Sequence, residues 1–130
     1  LEQTADAIQS RLGMVNAVIT DLTYASMTLE GVEKEKENSE LLVPIGGNSY
    51  IKARLENPDK LIVGMGAGVS VEKTLQDAKE VIKKRLENLD KTRASLQQQF
   101  AQVGERIGED REKFEKLVAE LRRETAPQNV

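Results

Sequence analysis

The sequence contains no cysteine and no histidine. Without cysteine there is no disulfide framework and no thiolate metal site; without histidine the commonest general base and metal ligand is missing. Aromatic residues make up 3% of the chain, too few to dominate the core of a large globular domain. No run of about 18 apolar residues is present, and no charged-then-apolar segment opens the chain. A soluble, cytoplasmic protein with no membrane partner is therefore expected. The formal charge of −3 provides no basic field for a polyanion, so no nucleic-acid partner is expected either.

What the chain has in abundance is heptad-spaced apolar residues. In the first stretch Leu1, Ala5, Ile8, Leu12, Val15, Ile19, Leu22, Ser26 and Leu29 follow strict 4-3 spacing. In the last, Ile82, Leu86, Leu89, Leu96, Phe100, Val103, Ile107, Phe114, Leu117 and Leu121 keep one frame that Arg93 and Asp110 interrupt. A 3.5-residue period confines each row to a narrow stripe, the seam of a coiled coil.

The first helix is expected from Leu1 to a point between Gly31 and Lys36, followed by a charged connector, Glu33 to Glu40, with Asn38-Ser39 as its turn. Four strands follow: Leu41–Ile45, Ser49–Glu56, Leu61–Gly66 and Val69–Lys73. Gly46-Gly47-Asn48 accepts the positive φ of a tight hairpin, Asn57-Pro58-Asp59 fits a type I turn, and Gly66-Ala67-Gly68 closes a second hairpin. Leu41, Val43, Ile45, Ile51, Ala53, Leu55, Leu61, Val63, Met65, Val69 and Val71 all occupy odd positions, the period of one sheet face. Leu42 and Ile62 are apolar on the other face. Thr74 is a candidate N-cap with Asp77 three residues on, and the helix it opens is expected to reach about Glu124. At 1.5 Å per residue that helix is about 75 Å long.

Such a helix cannot bury its stripe on a small sheet, so the two stripes should pair antiparallel. The expected register sets Leu29 against Leu75 to Ala78 and Leu1 against Val103 to Ile107, leaving Phe114, Leu117, Val118 and Leu121 in an overhang. These form an exposed apolar patch unless residues preceding Leu1 complete the seam. Two hairpins with one apolar face and free edges need a partner surface, so an oligomer subunit is expected.

The block Leu41-Leu42-Val43-Pro44-Ile45-Gly46-Gly47-Asn48-Ser49-Tyr50-Ile51-Lys52-Ala53, with Ile62-Val63-Gly64-Met65-Gly66-Ala67-Gly68-Val69-Ser70-Val71-Glu72-Lys73-Thr74, resembles an alpha-class prefoldin subunit, most like the archaeal form. The beta class has one hairpin, so two select the alpha class. The resemblance implies an α+β fold: a long antiparallel two-helix coiled coil whose two central hairpins join an oligomeric β-barrel. It spans a single domain, with the N-terminal helix at 1–36, hairpins at 41–73, the C-terminal helix at 74–124 and a tail at 125–130. It further implies a hexamer of two alpha and four beta subunits that holds non-native polypeptides at the coiled-coil tips without ATP or other cofactor, and delivers them to a group II chaperonin. The first seam is shorter than the second, a departure that leaves the geometry of the tip open.

Two residue sets follow. Leu1, Ala5, Ile8, Phe114, Leu117, Val118 and Leu121 are the candidate client contacts, with plain seam packing as the alternative for each. Val43, Ile45, Ile51, Ala53, Leu55, Leu61, Val63, Met65, Val69 and Val71 are the candidate oligomerisation face. Gly104 and Gly108, four apart, either loosen the helix near its end or are tolerated defects at about 1 kcal/mol each. Gly64 to Gly68 lacks the lysine–hydroxyl ending of a phosphate loop and reads as a turn. Carboxylates alternate with lysines on helix faces, and no metal site or enzyme is indicated. A scaffold or filament subunit without client binding is the alternative function; a helical arm on nucleic acid would need a basic stripe that the interleaved acids deny.

Overall fold

The computed structural model describes residues 1–125. Its elements are α1 (Glu2–Glu33), β1 (Glu40–Gly46), β2 (Ser49–Arg54), β3 (Leu61–Gly66), β4 (Val69–Lys73) and α2 (Leu75–Thr125). The expected tail begins inside α2 at Thr125, and residues 126–130 lie outside the described residues. Two long helices with two antiparallel hairpins between them give the expected fold class. The described residues divide into two units: Leu1–Ala17 with Asp90–Thr125, and Val18–Leu89.

In the first unit the seam is visible as a burial pattern. Ile8 is buried, Ala5, Leu12 and Val15 are half-buried, and on α2 Leu96 is buried while Val103 and Ile107 are half-buried. The intervening residues are mostly exposed, as a 3.5-residue period dictates. Arg93, which breaks the frame, is itself half-buried; its guanidinium bonds Asp90 at 3.0 Å. An arginine stem can fill a seam while its head stays paired at the edge.

The second unit holds the base of both helices and all four strands. Here Ile19, Leu22, Leu29 and Val32 continue the first stripe, against Leu75, Ala78 and Ile82, all three buried. α1 runs through Gly31 to Glu33, which accepts hydrogen bonds from Gln76 at 3.4 Å and from Lys79. Lys79 holds the Glu33 carboxyl below its ordinary range, first by that hydrogen bond and then by its charge. In the first unit the Arg111 guanidinium meets Glu2 at 3.4 Å. These contacts fall at the far edge of the expected register: in the second unit Leu29 lies with Ala78 and Ile82, and in the first Leu1 lies with Ile107, the end of its expected range, and with Phe114.

The strands form two separate two-stranded sheets, β1–β2 and β3–β4. Odd residues face odd residues: Leu41 pairs with Ala53, Val43 with Ile51, and Val63 with Val71. β2 ends at Arg54, yet the ladder is prolonged irregularly, with Leu55 N–H on Ser39 at 2.9 Å and Asn38 N–H on the Leu55 carbonyl at 2.7 Å. Asn38 makes that turn with φ of +67°.

The two hairpins share one plan, offset by twenty positions. Leu41, Val43 and Gly46 correspond to Leu61, Val63 and Gly66, and the register slips at the same place in each, between Pro44 and Gly46 and between Gly64 and Gly66. Their turns share a run of positive φ: +100°, +56° and +59° over Gly46-Gly47-Asn48, and +96°, +51° and +75° over Gly66-Ala67-Gly68. Two consecutive positive φ values after a bulge glycine match the right-handed twist of the strands they join.

Hairpin two is anchored to the helix base. Arg85 donates to the Gly64 carbonyl at 2.7 Å, and Val63 is 9% exposed. Asp59, in the turn before β3, accepts the Leu75 N–H at 3.0 Å and so caps α2 from sixteen residues away. Thr74 caps the next turn, its hydroxyl accepting from Asp77 N–H at 3.2 Å, while Asn57 accepts from Asp59 N–H at 2.9 Å and fixes the capping loop. Replacing Asp59 with alanine is expected to cost about 1 kcal/mol, the usual cost of a lost N-cap, seen as a lower unfolding midpoint in urea. An unchanged midpoint would show that Thr74 alone suffices.

Candidate functional site

Two exposed apolar surfaces stand out, one in each unit. The first is the odd face of the hairpins. Val43, Ile45 and Ile51 on hairpin one, and Met65, Val69 and Val71 on hairpin two, are 41–59% exposed. Ala53, Leu55 and Leu61 are half-buried. Val63 alone of the ten expected residues is buried, because it packs at the root of hairpin two. The opposite face is apolar at equivalent places: Leu42 is 60% exposed and Ile62 80%. Alternation put the large residues on one side, yet a two-stranded sheet has no second layer to cover them.

The second surface is the end of the seam. Past the Arg111–Glu2 pair, Phe114, Leu117 and Leu121 are 57–67% exposed, and Val118 is half-buried. Leu1, itself half exposed, joins Glu2, Gln3, Ile107, Asp110, Arg111 and Phe114 around an open cup. Asp110, the other break in the heptad frame, is therefore at the rim of that cup, where a carboxylate stays hydrated. Of the seven expected contact residues, the structure brings Leu1 and Phe114 together. It sets Leu117, Val118 and Leu121 on the next turns of α2 and places Ala5 and Ile8 back in the seam, with Ile8 buried.

The polar chemistry is sparse. Among the described residues there is no group of three or more metal-ligating side chains, and no helix is long and apolar enough to cross a membrane. Arg85 and Asp59, which tie the hairpins to α2, carried no sequence signal: their partners are a backbone carbonyl and a backbone amide remote in the chain. The shared hairpin plan did carry one, since apolar and turn residues recur at a spacing of twenty.

The family described as "Prefoldin subunit" matches residues 1–122. The chain belongs to the prefoldin family. Prefoldin subunit alpha of Methanobrevibacter smithii is 38% identical over 122 residues, covering 91% of this chain and 80% of that one. Prefoldin subunit alpha of Methanococcoides burtonii is 36% identical over 107 residues, covering 82% and 78%, and that of Pyrococcus horikoshii is 32% identical over 110 residues, covering 84% and 74%. Among solved structures, a chain in the cryo-EM structure of filamentous PFD from Methanocaldococcus jannaschii superposes with a TM-score of 0.66 at 26% identity, covering 89% of this chain and 90% of that one. The prefoldin alpha class is thus reached from relatives over most of the length, and it agrees with the two hairpins seen here. Prefoldin subunits are chaperones that assemble into oligomers.

Proposed function

We propose that this prefoldin chain is the alpha component of a cytoplasmic, ATP-independent holdase. It assembles with prefoldin beta subunits, two alpha to four beta, and takes non-native polypeptides at the coiled-coil tips for delivery to a group II chaperonin. The observation that carries this reading is the open end of the seam. Phe114, Leu117 and Leu121 remain in heptad register yet stay more than half exposed. A seam that ends in bare apolar side chains offers a contact for any chain that exposes apolar surface of its own, at roughly 25 cal/mol per Å² buried. Leu1 and Val118 widen that contact, and Ala5 and Ile8 support it from the seam below. Nothing in the proposed activity needs a nucleophile, a nucleotide or a metal ion, so no catalysis is assigned.

The odd face of the hairpins is the assembly surface in this reading. A side chain such as Val69, 56% exposed in the free chain, becomes interior once strands from neighbouring subunits close a barrel. Co-expression with a beta-class prefoldin subunit should give one complex whose native mass matches the hexamer and which keeps a chemically unfolded enzyme from aggregating without ATP. A complex that forms but leaves aggregation unchanged would favour the second reading, a scaffold or filament subunit. The filamentous relative is what keeps that reading open.

A further inference from the structure

A helix on a protein surface normally turns charged residues outward. α2 does so: from its start to Gln99 every large apolar side chain is buried or half-buried. α1 does not. Between Arg11 and Glu30 its single charged residue is Asp21. Within the unit Val18–Leu89, the side chains Val18, Asp21, Tyr24 and Met27 follow each other at intervals of three along a ridge that winds half-way round the helix, with Asp21, Tyr24 and Met27 on the face away from the seam and Val18 on its flank. Val18 is 47% exposed, Tyr24 72% and Met27 66%, and Asp21 is exposed and makes no ion pair among the described residues. Beside them the Thr28 hydroxyl turns back onto the Tyr24 carbonyl at 3.0 Å, which makes this flank less polar than its composition suggests.

The charge on α1 is also one-sided. Glu2, Asp6, Asp21, Glu30 and Glu33 oppose Arg11 alone. An apolar ridge with one unpaired carboxylate in its middle is a poor match for a second copy of itself, since pairing centred there would set Asp21 against its like. It is a good match for an apolar segment that brings a cation. Met27 and Tyr24 suit varied sequences, one through a flexible thioether and the other through a large face with a polar edge.

We propose that the Val18–Asp21–Tyr24–Met27 ridge of α1 is a second polypeptide-binding surface, selective for apolar segments that carry lysine or arginine. The inference rests on the holdase reading above, and it adds a preference in charge that the seam end does not supply. The test uses the assembled protein and two fluorescent peptides of one apolar sequence, with lysines in the first and glutamates at the same positions in the second. Fluorescence anisotropy should show the lysine peptide bound about fivefold more tightly, the scale of one exposed ion pair. Asp21→Asn should remove the preference and Asp21→Lys reverse it, while Val18→Ser/Tyr24→Ser/Met27→Ser should weaken both peptides about tenfold, with helicity and native mass unchanged. A preference that persists in Asp21→Lys, or a triple variant that binds like the wild type, overturns the inference and leaves the holdase reading standing. A fall in native mass in the triple variant also overturns it, by showing that the ridge is a contact between subunits. If neither peptide binds and aggregation is not suppressed, the holdase reading fails and this one with it.

Discussion

With Phe114, Leu117, Val118 and Leu121 all changed to serine, the assembled complex should keep its mass but lose most of its suppression of client aggregation. The first three turns beyond the Arg111–Glu2 pair would then present hydroxyls in place of side chains that are half-buried to 67% exposed. Fully burying one such apolar side chain against a client is worth about 1.5–3 kcal/mol, and contact at an open end realises part of that. Even a loss of about 1.4 kcal/mol per coil is a tenfold fall in affinity, and the loss multiplies where several coils grip one client at once. The helix itself should survive, since serine costs only a few tenths of a kcal/mol per position and these residues pack on little. Circular dichroism and light scattering check the fold and the mass; suppression of aggregation that is undiminished at equal mass refutes the role given to the four residues.

Glutamate at Ile51 and at Val71 should have the opposite profile: a folded chain that no longer assembles. Ile51 faces Val43, and Val71 faces Val63, on the odd side of the hairpins. Both are exposed in the single chain, at 55% and 41%, so the charge is tolerated there. In a closed barrel it would be carried into an apolar interior, at a cost of several kcal/mol per unpaired ion. Val63 is the wrong residue for this experiment, because at 9% exposure a charge there would disturb the chain's own packing. The control is Ser70→Glu, opposite Gly64 on the even face. Native mass spectrometry should find the double variant as free chains and the control in the complex; an intact complex in both would remove the assembly role from the odd face.

Most of the fold was legible because it repeats with a short period. The seam positions Ala5, Ile8, Leu12, Val15, Ile19, Leu22 and Leu29 are buried or half-buried in the order that the heptads demand. The turns were legible through glycine and asparagine at positions of positive φ. The pairing of one helix with the other was less so: a heptad repeat fixes which face is buried but not which heptad meets which. The contacts that settle it, Glu33 with Lys79 and Glu2 with Arg111, are single polar pairs with no period. The exposed ridge on α1 left its trace as a lack of charges, which a search for apolar stripes passes over.

The cap that Asp59 sets on α2 ties two local events into one. The Leu75 amide, which in an ordinary helix start would bond to water or to a neighbouring side chain, finds its acceptor in the loop that leads into β3. Fraying of the first turn of α2 therefore cannot proceed while that loop stays in place, and the loop cannot lift away without baring an amide. Deuterium uptake at Leu75 then reports the opening of this corner as a single cooperative unit.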